Sequence, residues 1–555
     1  MLRFHTKHIA ILLAGTLFCT TLSGCGNDTN EYAGSGHSFS YTLVGNPDTL
    51  DPQLAVNDSA KMVLCNLFEG LFSIDASGSL VPQLVKDYTV SDDGLTYTLT
   101  LREDSYWYDI MREDTQFNKE NAVSVTASDF VYAFRRIFNP LYQSPHREAF
   151  SCLQNAKAIL DGTQDYTMIG VYAKKTYELE FRLDTPNANF LQLLASTAAL
   201  PCSEQYFEST KGRYGLDENS IIGNGGFSMQ RWQYDPYGKY NVIQLARNPL
   251  ANQTNHVFPA DLSFYIEESE TDAANLFSAG STDCYVTTQN TLLSRSDVVE
   301  HSDYSLTLGI IAAPDSPYAN PKIRRALAYA LDRGNLSLSG DDVQAASAVL
   351  APAVTLSNKS CRELISENTY DAFNPTEAQR LFREGLAMSN AEDLPEGKIL
   401  VASDLMDYEP LRAAIAVWQQ QLDIHMSIEA VTQTEYDRKL KNHDYTLALV
   451  AVSGETQTPV SAFEGFLSCP YFDCDHEQQI RGLLTEAAQA ENFNASVELY
   501  RKAEAAILED NCMIPLFYKK RYLLCREGVE DVVFNPFSGQ LYFYHAKYFD
   551  DTGRN

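Results

Sequence analysis

The chain has 555 residues, of which 45% are hydrophobic, 11% aromatic and 21% charged, a composition typical of a globular protein. Its 42 basic and 73 acidic residues give a net charge of −31, which argues against nucleic-acid binding because phosphate backbones attract basic surfaces. The length exceeds what a single hydrophobic core usually supports, so we expect more than one lobe.

The N-terminal segment has the pattern of an export signal. Arg3 and Lys7 precede an apolar run over residues 9–18, and no acidic residue occurs before Asp28. This run has the length of a signal-peptide core and is shorter than the roughly 20 residues of a membrane-spanning helix. We therefore predict a signal peptide over residues 1–25.

The residues that end this signal include a cysteine. The motif LSGC, ending at Cys25, resembles the lipobox of bacterial lipoproteins, in which the cysteine is acylated and the chain is cut before it. The alternative is an ordinary secretory signal with a chance cysteine. The resemblance implies that Cys25 is lipidated, that residues 26–37 form a flexible tether, and that the protein lies on the extracytoplasmic face of the cell membrane.

Helical and strand patterns alternate along the chain, which indicates α/β layers. Residues 96–101 and 176–183 alternate apolar and polar side chains, as half-buried strands do. Thr126 and Asp129 form a capping-box pattern before an apolar helix stripe that stops at Asn139. The later predictions are a helix from Pro321 capped by Asn320, a helix over 411–422 with Trp418 in its core stripe, a strand over 424–430, a helix over 497–507 and a strand over 513–518.

The cysteines leave their pairing open. Of the eleven cysteines, Cys19 and Cys25 fall in the signal region. The nine that remain are an odd number, so at least one of them is unpaired in a monomer. Cys469 and Cys474 could close a short loop as a disulfide, remain free thiols, or bind a metal together with Asp473 and His476.

Compact catalytic motifs are absent from the sequence. There is no Gly-rich phosphate loop and no nucleophile elbow. His476-Glu477 begins a pattern like that of zinc proteases, but Ile480 stands where the second ligand would be needed. We predict no catalytic residue, no metal site and no cofactor, although catalytic groups can be distant in sequence.

A series of segments in fixed order resembles the bacterial extracellular solute-binding proteins of family 5, the oligopeptide- and dipeptide-binding components of ABC importers. Together they span about residues 39–548. The segments are NPDTLDP (46–52), NLFEGLF (66–72), GSLVPQL (78–84), DGLTYTLTLR (93–102), VTASDFVYAFRR (125–136), GNGGF (223–227), RNP (247–249), IRRALAYALDR (323–333) and IPLFY (514–518).

The resemblance implies an α/β fold of the type II periplasmic-binding kind, with two lobes and an additional inserted domain. The implied substrate site lies between the lobes, which close about a hinge. The implied divisions are domain I over 38–73, 197–300 and 506–555, domain II over 74–196, and domain III, the second lobe, over 301–505.

The resemblance also implies a ligand contact. In peptide-binding members an extended peptide is held through its main chain, and an acidic residue four positions before a proline pairs with the peptide amino terminus. The corresponding stretch here is ETQTPVSAF, in which Glu455 precedes Pro459 by four. The alternative is that Glu455 is a solvated loop residue.

Other implied cleft residues match less well. Val452 replaces an aromatic residue before the Glu455 loop, and His146 replaces a tyrosine. His146 then either touches ligand or has a packing role. The further predicted ligand-binding residues are Asp58, Tyr285 and Tyr518. The resemblance also implies that Val56, Ser59 and Lys61, close to Asp58, fall where relatives line the cleft.

The function that the resemblance implies is a lipid-anchored, monomeric receptor that captures oligopeptides and delivers them to an ABC permease without catalysis. Because aromatic residues of the cleft are replaced, a nickel chelate, haem or an oligosaccharide is an alternative ligand. A peptide-pheromone receptor and, from another class, an extracellular hydrolase are further alternatives.

Overall fold

The computed structural model describes residues 36–549, apart from 76–78, 111–121, 188, 239, 252–256, 290–291, 293–294, 296, 337, 339–340, 358, 366–372, 468, 470, 472–475, 489 and 491. The whole predicted signal peptide, with Cys25, lies outside these residues. Among the described residues no helix combines the length and the apolar composition needed to cross a membrane.

The helices are α1 (Asp58–Leu67), α2 (Ala127–Phe138), α3 (Ala156–Leu160), α4 (Phe190–Leu193), α5 (Glu204–Ser209), α6 (Glu270–Ser278), α7 (Pro321–Ala330), α8 (Cys361–Leu364), α9 (Pro375–Met388), α10 (Glu409–Leu422), α11 (Gln433–Lys441), α12 (Pro459–Leu467), α13 (Glu477–Ala488) and α14 (Phe493–Asp510).

The strands are β1 (Ser38–Val44), β2 (Phe72–Ile74), β3 (Leu80–Pro82), β4 (Val85–Val90), β5 (Thr96–Leu101), β6 (Tyr106–Trp107), β7 (Val123–Ser124), β8 (Val171–Lys175), β9 (Glu178–Arg182), β10 (Phe227–Gln233), β11 (Val242–Arg247), β12 (Asp261–Glu267), β13 (Cys284–Thr287), β14 (Val298–Ala312), β15 (Val343–Ala345), β16 (Thr355–Leu356), β17 (Lys359–Ser360), β18 (Gly397–Ala402), β19 (Met426–Val431), β20 (Leu447–Val452), β21 (Ile514–Arg526), β22 (Val529–Glu530), β23 (Val533–Phe534), β24 (Leu541–Tyr542) and β25 (Lys547–Tyr548).

One large mixed sheet runs through the molecule. Its strand order is β10-β11-β12-β1-β13-β21-β14-β20-β18-β19, and β15 pairs with β21 beside this path. β1 is parallel to β12, and β18 is parallel to β19 and β20. By contrast, β14 is antiparallel to both β20 and β21. The predicted α/β class is confirmed by this sheet and the helices around it.

Two large hydrophobic cores share the sheet, and we call the parts of the chain around them the first and second lobes. The first core contains Phe39 and Phe264 together with Phe134 and Phe181. The second contains Trp418 and its neighbours from β18, β20 and α7. Since the first core joins parts of the predicted domains I and II, packing alone does not separate those two, and the domain limits stay a prediction.

The strands β14 and β21 connect the two lobes. β21 contributes Leu516 and Phe517 to the second core and Leu523 and Cys525 to the first. Along the β14–β21 pair the register shifts between Tyr304 and Leu306 and again between Leu308 and Gly309. A register shift of this kind adds local twist and bend to a strand.

A four-stranded antiparallel sheet in the order β4-β5-β9-β8 lies in the first lobe and packs against α2. The predicted capping box is present, because the Asp129 carboxylate accepts hydrogen bonds from Thr126 N and Oγ1 at 2.7 and 2.9 Å. The helix ends at Asn139 as predicted.

Most predicted elements are confirmed with small shifts of their ends. Helix α7 begins after Asn320, whose Oδ1 accepts from Lys322 N at 2.9 Å. Trp418 is fully buried and donates from Nε1 to Leu327 O at 2.8 Å. The predicted strand over 513–518 was too short, because β21 continues to Arg526. Lys519, the first residue beyond the predicted strand, is fully buried and paired with Asp342.

Candidate ligand-binding cleft

The two lobes touch along one boundary, and polar side chains from both meet there. Gln457 Nε2 of the second lobe donates to Ser79 Oγ of the first at 2.6 Å. Thr288 Oγ1 donates to Asp404 O at 3.1 Å. Because ligand sites of two-lobed proteins lie at such boundaries, we treat this region as the candidate cleft.

Helix α1 places Asp58 and Lys61 at the boundary. The helix is capped by Asn57, whose Oδ1 accepts from Ala60 N at 2.8 Å, and the rest of its length is buried in the first lobe. Asp58 and Lys61 are one turn apart, with Lys61 Nζ 3.9 Å from Asp58 Oδ1. Their side chains are 93% and 27% exposed, respectively, so α1 presents a carboxylate and a half-covered ammonium to the cleft.

Glu455 approaches Lys61 from the second lobe. Its Oε1 lies 4.0 Å from Lys61 Nζ, and its side chain is 59% exposed. The nearby Glu455 carboxylate raises the pKa of Lys61, burial opposes this shift, and Asp58 adds to it. Lys61 therefore keeps its positive charge at neutral pH.

The loop that carries Glu455 is fixed through its backbone. The amides of Glu455 and Thr456 donate to Ser461 Oγ at 2.9 and 3.0 Å, and Glu455 O accepts from Asn535 Nδ2 at 2.9 Å. At Gly454 a Cβ atom would come within 2.7 Å of the Ser461 backbone, so only glycine permits this close approach to α12. The backbone is thus held, while 59% of the Glu455 side chain is exposed.

Tyr285 of β13 is buried, with 5% of it exposed, and lies beside a second carboxylate. Its hydroxyl donates to Glu270 Oε2 at 2.8 Å, and its ring stacks on Phe277 with a centroid distance of 5.9 Å. Burial raises the pKa of Glu270 to about 7, the bond from Tyr285 opposes this shift, and the charges of Asp404 and Asp58 add to it. Glu270 is therefore partly protonated near neutral pH and can donate as well as accept.

Arg521 of β21 adds a second cation. Its Nη1 donates to Pro536 O at 3.1 Å and also to Phe537 O. Burial lowers the pKa of Arg521, and the carboxylates of Asp58 and Glu455 counteract this shift. The guanidinium is therefore held by two carbonyls, and its charge interacts with the same two acids as the charge of Lys61.

His146 sits beside α1 and is held by the backbone. Its Nε2 lies 3.0 Å from Ala55 O. Burial lowers the pKa of His146, the bond to Ala55 opposes this, and the charge of Lys61 lowers it further. A neutral imidazole at this position is available as a packing or hydrogen-bonding group.

Tyr518 has a different environment. Only 4% of it is exposed, and its ring belongs to the second core. Its hydroxyl bonds with Ala348 N and Ala348 O, both at 3.2 Å. Its predicted ligand contact stays a prediction, and any such contact would require movement of this packed ring.

The structure therefore brings Asp58 and Glu455 together through Lys61, with His146 beside them. Tyr285 joins this region through Glu270, whereas Tyr518 shares none of these contacts. The resemblance placed Lys61 among the residues that line the cleft, although Lys61 was not chosen as a ligand-binding residue, and sequence reasoning did not select Glu270 or Arg521. For Lys61 a signal existed, since it follows Asp58 by one helical turn, but Glu270 and Arg521 are distant in sequence and gave no local sign.

The alternative metal site would use Cys469, Asp473, Cys474 and His476. Two of these, Asp473 and Cys474, lie outside the described residues. Within the described residues, no group of three or more His, Cys, Asp and Glu side chains is arranged to hold a metal ion.

Comparison with known protein families shows which family of proteins this chain belongs to. The model for the bacterial extracellular solute-binding proteins, family 5 (middle region), matches residues 79–473. The chain belongs to family 5 of the bacterial extracellular solute-binding proteins. The recognition made from the ordered sequence segments is confirmed, and the family is extracellular.

Two peptide-binding proteins align over nearly the whole chain. The oligopeptide-binding protein OppA of Bacillus subtilis is 23% identical over 563 residues, which cover 97% of this chain and 99% of OppA. The dipeptide-binding protein DppE of the same organism is 23% identical over 544 residues, covering 93% and 94%.

A solved structure, Listeria monocytogenes OppA bound to peptide, superposes with a TM-score of 0.72 at 19% identity. It covers 93% of this chain and 99% of the other. This likeness confirms the predicted periplasmic-binding fold.

Proposed function

We propose that this family 5 protein captures oligopeptides in the cleft between its lobes and delivers them to the permease of an ABC importer. Cys25 would anchor it by acylation to the outer face of the cell membrane. The proposal is supported by family membership and by two relatives, named for oligopeptide and dipeptide binding, that each align over more than nine-tenths of this chain.

The observation that carries the proposal is the placement of Glu455. Its backbone is fixed by Ser461 and Asn535, whereas its carboxylate is 59% exposed and lies at the boundary between the lobes. A carboxylate in this position can accept a charge-assisted hydrogen bond from the amino terminus of a peptide.

Lys61 affects the strength of that interaction. At 4.0 Å from Glu455 Oε1 it neutralises part of the negative charge that attracts a ligand ammonium. A peptide amine must therefore share Glu455 with Lys61 or displace it toward Asp58, which lies 3.9 Å from the same ammonium.

The remaining groups would serve the rest of the ligand. Glu270, with a pKa of about 7, can either donate to a peptide carbonyl or accept from a peptide amide. Tyr285 would orient it through its hydroxyl bond. Binding without chemical conversion needs only such hydrogen bonds and closure of the lobes, and we propose no catalytic step.

The test is to identify molecules carried through purification. The chain from residue 26 onward is purified without denaturation and then denatured, and the released small molecules are analysed by mass spectrometry. A set of short peptides is the expected result and would also give their length. A metal chelate, haem, sugar or other non-peptide molecule would overturn the ligand assignment.

If no molecule is released, titration of the protein with a peptide library of two to eight residues by calorimetry replaces this measurement. Absence of binding to every peptide length would contradict the proposal.

A further inference from the structure

Two cysteines, Cys284 and Cys525, lie directly opposite each other on neighbouring strands. They are register partners in the antiparallel pair of β13 and β21. Their Sγ atoms are 3.6 Å apart, and both residues are buried, with 0% and 2% exposure. Water and bulky reagents have little access to this contact.

The hydrogen bonding of the strands defines the type of pairing. Arg526 N donates to Asp283 O at 2.9 Å, which means that the residues flanking the cysteines form the hydrogen bond. Cys284 and Cys525 therefore occupy a non-hydrogen-bonded position of the antiparallel ladder. At such positions the Cα atoms are about 4.5 Å apart and the side chains are closest. This separation lies at the short end of the range that disulfides span.

The environment of the family favours oxidation of such a pair. Family 5 proteins are extracellular, and disulfides form and persist outside the reducing cytoplasm. We propose that Cys284 and Cys525 form a disulfide bond in the exported protein, joining β13 to the strand β21 that connects the lobes.

The reaction balances as a thiol–disulfide exchange. The two thiols lose their protons and two electrons as the Sγ–Sγ bond forms, and the disulfide of an extracytoplasmic dithiol oxidoreductase is reduced to its two thiols. The hydrogen bond with Cys525 and burial hold the pKa of Cys284 well above its usual range. Because the thiolate is the reacting form, exchange is slow once the strands are covered, and the bond forms while they assemble.

The direct test uses the full chain exported by the bacterium that produces it. Intact cells are treated with iodoacetamide during lysis in denaturant, so that every free thiol is alkylated before any exchange, and the protein is digested without reductant. The expected result is a peptide pair linking Cys284 to Cys525, with neither cysteine alkylated. Alkylation of both cysteines, or a link from either one to a different cysteine, would overturn the proposal.

A second measurement does not depend on peptide recovery. Reduction is expected to lower the Tm of the exported protein by about 5 °C, because the bond closes a long loop in the unfolded chain. Cys284→Ser and Cys525→Ser should each abolish this difference between oxidised and reduced protein. Cys361→Ser, a change at a buried cysteine of the second lobe, is the matched control and should retain it. An unchanged response to reductant in Cys284→Ser would contradict the assigned pair.

Discussion

The ammonium of Lys61 lies 4.0 Å from the carboxylate of Glu455, although the two residues belong to different lobes. Lys61 is held by a buried helix and Glu455 by a loop whose amides bond to Ser461. The contact is therefore made only when the lobes approach each other. Since both side chains retain access to water, it contributes little to stability, but it sets the charge that a ligand meets.

Glu455→Gln tests the amine contact. It keeps the shape of the side chain and removes its charge, so binding of peptides with a free amino terminus should weaken by about 10-fold. Isothermal titration with a free peptide and its N-acetylated form gives the measurement. The acetylated peptide should bind poorly to the parent protein and show no further loss in the variant.

The matched control is Glu392→Gln, which makes the same change at an exposed glutamate of the second lobe between α9 and β18. Its affinity should equal that of the parent. Equal binding of the free and acetylated peptides to the parent protein would remove the amine-anchoring role from Glu455.

Lys61→Met should act in the opposite direction. Because Lys61 competes with the ligand amine for Glu455, its replacement by an apolar side chain of similar length should strengthen binding of free-amino peptides by about 3-fold. The gain should shrink in high salt, which screens the repulsion between Lys61 and the ligand amine. Lys86→Met, on the exposed strand β4, serves as control; weaker binding by Lys61→Met would instead show that Lys61 itself contacts the ligand.

The raised pKa of Glu270 predicts a pH dependence of stability. The folded protein holds this proton up to about pH 7, whereas the unfolded chain releases it near the ordinary value of 4.5. Between these values the folded state binds more protons, so the contribution of Glu270 to stability falls as the pH rises. The fall should be complete above pH 7.

Glu270→Gln removes this contribution. Thermal unfolding followed at pH 5, 6, 7 and 8 should show that the Tm of the variant, relative to the parent, rises with pH. Glu392→Gln provides the comparison for a surface carboxyl. A Tm difference between Glu270→Gln and parent that stays constant from pH 5 to 8 would show that Glu270 titrates alike in the folded and unfolded states.

The buried pair of Lys519 and Asp342 should be important for stability. Lys519 is fully buried, and Asp342 also accepts the Tyr522 hydroxyl at 2.7 Å. Asp342→Ala leaves this ammonium without its partner, which should lower the free energy of unfolding by about 3 kcal/mol or more. Urea unfolding is the measurement, and the double change Lys519→Met with Asp342→Ala should recover part of the loss. No recovery would show that the lost tyrosine bond, not the unpaired charge, dominates.

Cys25→Ser tests the anchor. If Cys25 is acylated, the parent protein should sediment with membranes and enter the detergent phase, whereas the variant should be found in the medium or the soluble fraction. Cys19→Ser, a change directly after the apolar run over residues 9–18, should leave the membrane association unchanged. Membrane association of Cys25→Ser equal to that of the parent would show that the attachment does not depend on acylation of Cys25. A parent protein found only in the medium or the soluble fraction would point to an ordinary cleaved signal.

Local signals were sufficient for much of the fold. Helix caps and apolar stripes are patterns of residues close together in sequence. The caps at Asn320 and Thr126 and the stripe that contains Trp418 were therefore enough to predict their helices. The predicted end of the strand at residue 518 was wrong, because the strand continues through the buried Lys519 and nothing near Lys519 in sequence indicates its partner Asp342. Pairing across the fold made this lysine compatible with a buried strand.

The cleft was predictable only in part. The resemblance placed Glu455 and Asp58 in the cleft region, and the structure brings both to Lys61. Glu270 and Arg521 reach the same region from distant segments, and their roles depend on burial and on neighbouring charges, which the sequence does not encode locally. For Tyr518 a motif match gave the position in the chain but not the direction of the ring, which packs into the second core.

The paired strands β14 and β21 also restrict how the lobes can move. Sliding one strand past the other by one residue would turn Leu516 and Leu523 away from their cores, since side chains alternate between faces. The register shifts near Leu306 and Gly309 interrupt the regular ladder between the lobes and offer a place to bend. Rotation about this interruption would therefore be favoured over shear. If the cleft binds ligand as proposed, the angle between the lobes would vary with the size of the ligand, while the pairing of β14 with β21 would stay the same.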